Sequence, residues 1–468
     1  MPALRKASHP SIDAENPWTD DPFHRRRSGE LLADMIASVE QPFVIAVNGS
    51  WGSGKSVFLN RLVAHLGTMA PSVHSIHVDA WKSDWHDDPL MALALATNNT
   101  LEKVGIRRAK DLGKRLVGYG LELAPAAAGF AANLAIPGSG TSVTAAMKVG
   151  TEAIKQASSR ASAQRKFEEA LGEARDLLLR RQRGGPIKGH VVVVVDELDR
   201  CRPDYAVRML ERIKHLYSLP GFVFVIATDN VNLRSAVKSV YGPGTDGEQY
   251  LRKFFDFELH LRPPQPSEYA RVLIHQFGVD DLLGSRGHEI IRELGSDCHV
   301  RISTGNPADD WAEAIFEFVS TANRFRLSLR DQAQAFSLLY ALMVTSARSD
   351  VFLPALLAYL ACLRFGQDWH EDAFSRIKVG GYRQLQATLQ NSQKFGNPGP
   401  YLKALGDALV VEPSGWDSHL SRLVHNSDEH ASRLVQRVRT LGPAKLAAGV
   451  DRTLYLLEIA GSDATRDS

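Results

Sequence analysis

An apolar run, Phe43-Val44-Ile45-Ala46-Val47, passes almost directly into Gly49-Ser50-Trp51-Gly52-Ser53-Gly54-Lys55-Ser56 and then into a helical pattern. Few arrangements satisfy that order. A short continuous apolar run marks a strand buried on both faces. Phe58, Leu59, Leu62 and Leu66 recur at helical spacing, so the segment between is a turn joining a parallel strand to a helix. It matches GxxxxGK[ST], the Walker A pattern, in the strand, loop and helix setting that the pattern requires. Its glycines let successive backbone N–H groups converge on an anion, and the helix beginning near Val57 adds its partial positive charge. The chemistry predicted is triphosphate binding. Gly49, Ser50, Trp51, Gly52, Ser53, Gly54, Lys55, Ser56 and Val57 cradle the nucleotide, Lys55 reaches its β and γ phosphates, and the Ser56 hydroxyl ligates Mg²⁺.

Four further runs read as strands: Val73 to Val78, the five valines Val191 to Val195, Phe222 to Ala227 and Phe257 to Leu261. Tyr205 to Leu216 reads as a crossover helix between the third and fourth strands. Alternating strands and helices predict an α/β fold, a three-layer parallel-sheet P-loop NTPase. Residues of about 99–189 interrupt the alternation as a helical insertion. From Pro266 onward only amphipathic helices are expected, at Ser267 to Phe277, Ala312 to Ala322, Asp331 to Ala347 and Ala431 to Leu441, with a core helix near Val351 to Leu363. The expected organisation is an N-terminal arm at 1–28, a P-loop core at 29–265 and a helical lid and C-terminal domain at 266–468.

The second half of the site is Val195-Asp196-Glu197-Leu198-Asp199-Arg200. An acid at the tip of a strand beside the phosphate-loop strand can hold Mg²⁺ through its water shell, which assigns Asp196. Glu197 next to it would polarise an attacking water, so an acid there favours hydrolysis over transfer to another acceptor. Asp199 and Arg200 read either as an ion pair at a helix entry or as site residues. Thr228 and Asp229, at the tip of the fourth strand, would hydrogen-bond the water or the γ-phosphate. Asp229 or Asn230 would equally serve as a helix cap. Arg252, Lys253, Arg324, Arg326 and Arg330 are candidates to reach the triphosphate, in cis or from a neighbouring copy.

A net charge of +2, from 55 basic and 53 acidic residues, gives no general footprint for nucleic acid. The runs His24-Arg25-Arg26-Arg27 and Arg180-Arg181-Gln182-Arg183 read as solvated helix ends or linkers. Three widely spaced cysteines, Cys201, Cys298 and Cys362, suit a reducing compartment, and the first residues lack the apolar core of a secretory signal. A cytoplasmic location is expected. Leu116 to Met147 holds one charged residue, Glu122, but is too short for two membrane spans and is diluted by glycine and proline. Peripheral membrane association and homo-oligomerisation both stay open.

The P-loop containing Trp51, Asp79-Ala80-Trp81 after the second strand, Val195 to Cys201 and Ile226-Ala227-Thr228-Asp229 together resemble the KAP P-loop NTPases. The similarity extends upstream to Asn16-Pro17-Trp18 and downstream to Tyr250-Leu251-Arg252-Lys253-Phe254 and Asn323-Arg324-Phe325-Arg326. The resemblance implies the additional-strand type of P-loop sheet, ATP hydrolysis with Mg²⁺, and in many members membrane helices inserted between the P-loop and the acidic strand. Prokaryotic relatives are associated with phage exclusion. The expected function is that of an ATPase acting as a nucleotide-gated regulator or effector, with an unknown protein partner. A nucleotide-binding scaffold with little hydrolysis and a P-loop kinase are the alternatives.

Overall fold

A computed structural model of the chain describes residues 12–123 (except 71, 72, 87, 105 and 106), 143–179, 189–283 (except 217), 307–346, 353–366 and short pieces between 373 and 455. The chain divides into two compact units, Ile12–Pro263 and a helical unit from Pro264 onward.

The first unit is built on five parallel strands, β1 Phe43–Asn48, β2 Val73–Asp79, β3 His190–Asp196, β4 Phe222–Thr228 and β5 Phe257–His260, in the order β2-β3-β4-β1-β5. All five runs read as strands from sequence are strands. One expectation is corrected by this order: the acidic strand β3 does not lie beside the phosphate-loop strand β1, because β4 pairs with both. That intervening strand is the additional strand of the expected fold.

Alternation along the strands divides the core into two layers. Val44, Ile76, Val78, Val191, Val193, Val195, Phe222, Phe224 and Ile226 pack on one side of the sheet. They meet helices α4 Pro89–Val104, α5 Arg107–Leu123, α6 Val143–Leu178 and α7 Pro203–His215. Ile45, Val47, Val192, Val194, Val223, Val225 and Ala227 face the other way, toward α1 Arg26–Ser38 and α2 Lys55–Met69. The five valines are all 1% exposed or less, as a strand covered on both faces demands. Three short or peripheral helices complete the unit: α3 Ala80–Ser83, α8 Asn230–Tyr241 and α9 Gly247–Leu251.

The described part of the stretch expected as a helical insertion is helical and contributes to this core. Leu112 and Leu116 of α5 and Phe167, Leu171 and Ala174 of α6 are buried in the same cluster as β3. Among the described residues no helix is long and apolar enough to cross a membrane. Most of Leu116 to Met147, together with Arg180 to Arg183, lies outside them.

Within the stretch set apart by the sequence reading as an arm, residues 17–20 pack on α2. Arg61, buried on α2, donates to the carbonyls of Pro17 (2.5 Å), Thr19 (2.9 Å) and Asp20 (3.1 Å). The Trp18 ring packs 5.8 Å from Phe58 and 6.1 Å from His65, and so closely over Gly29 that a Cβ there would fall 2.0 Å from Trp18 Cζ2. The basic run is also divided by this packing. Arg25 is buried and donates to the Arg262 carbonyl at 2.9 Å, while Arg26 and Arg27 are exposed on α1.

The helical unit contains α10 Pro266–Phe277, α11 Asp280–Leu283, α12 Pro307–Arg324, α13 Leu329–Ser346 and α14 Pro354–Arg364. Phe277, Ile315, Phe318, Phe336, Leu339, Tyr359 and Leu360 form its core, and α14 is buried along its whole apolar length. The helix expected at Ala431 to Leu441 lies outside the described residues.

Candidate functional site

The P-loop leaves β1 at Asn48 and enters α2 at Lys55. Gly52 and Gly54 take φ values of 79° and 82°, the left-handed region that L side chains rarely adopt. Gly54 ends the loop as the N-cap of α2, where an added Cβ would also come 3.2 Å from Arg25 Nη1. The loop is stitched to the next strand by the Gly49 N–H, which donates to the Thr228 carbonyl at 3.0 Å, and closed on itself by Ser53 N–H to the Ser50 carbonyl at 3.1 Å. Ser50 and Trp51 are exposed, Ser53 is buried, and Ser56 and Val57 occupy the first turn of α2.

Lys55 is buried, and its ammonium lies 2.7 Å from the Gly49 carbonyl, 3.4 Å from that of Ser50 and 3.3 Å from Asp199 Oδ2. The Ser56 hydroxyl donates to Glu197 Oε1 at 3.4 Å. Two side chains of α2 therefore meet two carboxylates of the acidic motif, although β4 separates the strands that carry them. Asp196 ends β3 in register with Asp79 of β2 and accepts from the Glu197 N–H at 2.8 Å. Glu197 is a non-glycine residue at φ 61°, a conformation that costs on the order of 1 kcal/mol or more and marks functional sites when it is found. Its carboxyl has a raised pKa because burial penalises the charge; the Arg200 guanidinium opposes this, and Asp196, Asp199 and Asp79 reinforce it.

Asp199 and Arg200 do not pair with each other. Asp199 goes to Lys55, with both side chains under 10% exposed, and Arg200 Nε pairs with Glu197 Oε2. The Arg200 guanidinium sits 5.1 Å from the Trp51 ring centre and 5.5 Å from that of Trp81, contacts worth about 0.5–1 kcal/mol each where exposed. The two tryptophans distinguishing this P-loop and the second strand tip thus converge on one cation. Cys201 follows, its thiol pKa pushed far up by burial.

At the tip of β4, Thr228 is fully buried and its hydroxyl has no hydrogen-bond partner among the described residues. Asp229 caps α8, accepting from the N–H groups of Val231 (3.1 Å) and Asn232 (3.5 Å). Sequence reasoning missed the polar bracket beside it: Asn48 Nδ2 and Asn230 Nδ2 both donate to Glu258 Oε1, at 2.8 and 2.5 Å, and the Asn230 N–H donates to Asn48 Oδ1 at 3.2 Å. This joins the ends of β1, β5 and α8. The signal in the chain is that Asn48 and Asn230 are polar at a strand end and a helix start, which does not identify Glu258 as their partner.

The expected arginine sensors have other engagements. Arg252 pairs with Glu248 on α9 at 2.7 Å, and Lys253 lies 5.4 Å from the Tyr250 ring centre. Arg324 belongs to the helical unit, where its guanidinium donates to Glu317 Oε1 at 2.6 Å and to the Thr321 hydroxyl at 2.8 Å. Arg326 is exposed at φ 50°, and Arg330 is exposed at the start of α13.

Among the described residues no group of three or more histidine, cysteine or acidic side chains could hold a metal. Mg²⁺ needs less than that, since it keeps several waters and takes one or two protein ligands alongside phosphate oxygens. The Ser56 hydroxyl, drawn to the acidic strand tip where Asp196 lies, fits that requirement.

The Phage T7 exclusion protein of Escherichia coli (strain K12) is 22% identical over 266 residues, covering 53% of this chain and 34% of that protein, so the match spans about a third of that curated relative's length. Among solved structures, the Aeropyrum pernix ORC2 protein (ADPNP-ADP complexes) is similar at 13% identity and a TM-score of 0.39, over 97% of this chain and 100% of that one. Drosophila ORC bound to DNA is similar at 12% identity and a TM-score of 0.31, over 99% and 89%. Residues 25–289, more than half of the chain, match the KAP family P-loop domain, and the chain belongs to that family of nucleotide-binding NTPases.

Proposed function

We propose that the protein binds ATP with Mg²⁺ and hydrolyses it, and that the bound state gates its helical unit, making it a nucleotide-gated regulator or effector in the cytoplasm. The observation that carries this reading is the pairing of Lys55 with Asp199 and of Ser56 with Glu197, which brings the P-loop helix and the acidic motif to one point. Loop N–H groups and the start of α2 receive the phosphates. Lys55 exchanges its carbonyl and carboxylate partners for β and γ phosphate oxygens, and Ser56 and Asp196 hold the metal. When bound, Mg²⁺ offsets the charge that builds on the phosphate oxygens. Glu197 orients a water toward the γ-phosphorus and accepts its proton as the bond to the β–γ bridging oxygen breaks. The unpartnered Thr228 hydroxyl supports a hydrogen bond to that water or to the γ-phosphate. The similarity to a phage exclusion protein, at 22% identity, is what supports reading this regulator or effector as one of phage defence; its protein partner is unknown.

Nucleotide affinity and phosphate release, measured on the full chain, test the assignment. Lys55→Ala abolishes tight ATP binding, whereas Glu197→Gln retains it and turns over at least about 10²-fold more slowly. Turnover of Glu197→Gln at the wild-type rate would remove Glu197 from its role. A wild-type protein that binds Mg-ATP without releasing phosphate would instead be a scaffold.

A further inference from the structure

In the acidic motif the side chain of Arg200 touches the P-loop, through Trp51, and Glu197 at once. Its Nε pairs with Glu197 Oε2, while Glu197 Oε1 accepts from Ser56 Oγ at 3.4 Å. Its guanidinium lies against Trp51, which belongs to the P-loop, and against Trp81, which belongs to the short helix at the end of β2. The contacts form a closed circuit from the P-loop through Trp51, Arg200 and Glu197 to Ser56, back at the start of α2.

Two features argue that the circuit holds a geometry rather than merely covering surface. Trp51 and Trp81 remain 40% and 52% exposed, so neither is buying core burial by its position. Planar guanidinium groups stack on aromatic faces in a way an ammonium does not. A residue held by two rings presents its Nε in a fixed direction, toward a carboxylate whose own backbone is in the left-handed region. With only Ser56 to hold it, a Glu197 carboxylate would be free to rotate about its side-chain torsions.

We infer that Arg200 is a positioning residue for Glu197, and that Trp51 and Trp81 clamp its guanidinium so that the P-loop sets the direction of the Glu197 carboxylate. The inference rests on the reading of Glu197 as the group that orients the attacking water. It makes the P-loop tryptophan a mechanical link to the acidic strand tip, distinct from phosphate contact. Arg200 acts through Glu197 and touches neither phosphate nor metal in this assignment.

The test is steady-state ATP turnover by the full chain, with ATP affinity and a cooperative thermal transition recorded for each variant. Arg200→Ala lowers kcat on the order of ten-fold while KM stays within about three-fold, the split of a group acting after binding. Trp81→Leu, which leaves the P-loop and Glu197 untouched, lowers kcat about two- to five-fold. The double variant turns over no more slowly than Arg200→Ala alone, because Trp81 acts only through the arginine. Unchanged kcat in Arg200→Ala, or losses that multiply in the double variant, would overturn the clamp. Should Arg200→Ala not fold, unchanged kcat in Trp81→Leu overturns it alone. Glu197→Gln at the wild-type rate instead overturns the underlying assignment, so the two failures are told apart.

Discussion

Glu197 carries two properties that pull against each other. Its carboxylate is shared between Ser56 and Arg200, yet its backbone sits at φ 61°, where a Cβ is disfavoured. Replacing it with glycine removes the strain along with the carboxylate, whereas valine keeps the strain and adds a branched Cβ. Urea unfolding is expected to find Glu197→Gly more stable than Glu197→Val by about 1–2 kcal/mol, with both unable to sustain turnover. The identity of the acid at this position was legible in the chain, since an acid after Asp196 follows from the strand-tip pattern. Its backbone strain was not, because nothing local to Glu197 requires a positive φ. The partners of Asp199 and Arg200 were hidden for a related reason. Adjacent opposite charges read as a pair, but a 3₁₀ turn over Leu198–Arg200 sends the two side chains to Lys55 and Glu197 instead.

At the level of elements, strands were the most legible part of the fold. Runs such as Val191 to Val195 are apolar throughout because β3 is covered on both faces, and that composition survives any uncertainty about neighbours. Strand order was less accessible: which strand stands next to β1 depends on crossovers of dozens of residues, and only the family resemblance supplied the intervening strand. Helix α8 poses a separable question. Asp229 caps it, and asparagine caps as well as aspartate while alanine does not. If capping is its whole task, Asp229→Asn keeps both Tm and turnover, while Asp229→Ala costs about 1 kcal/mol in thermal unfolding. Loss of turnover in Asp229→Asn with Tm unchanged would instead return Asp229 to the chemistry. The N-terminal residues were expected as an arm at 1–28, apart from the P-loop core. Within it, residues 17–20 are held by Arg61, which gathers three carbonyls, a contact set that no pattern in residues 12–28 announces.

For the molecule as a whole, each unit holds a largely buried ion pair, Lys55 with Asp199 in the first and Arg324 with Glu317 in the helical one. Arg324 was expected as a sensor of the triphosphate, yet in the helical unit it answers Glu317, whose carboxyl has a raised pKa from burial and which Arg324 and Thr321 keep supplied with hydrogen bonds. Arg324→Ala strands that buried acid and is expected to cost roughly 3–5 kcal/mol in unfolding of the helical unit. ATP affinity measured on the same variant stays at the wild-type value if the pair is structural, and falls if Arg324 also reads the nucleotide. The packing of Trp18 over Gly29 and Phe58 has a practical reach of its own. A minimal nucleotide-binding fragment cannot be cut at the first strand, however natural that boundary looks. Such a fragment would uncover the aromatic side of the P-loop helix and leave the guanidinium of Arg61 without its carbonyls, so a usable shortened form has to begin before Asn16.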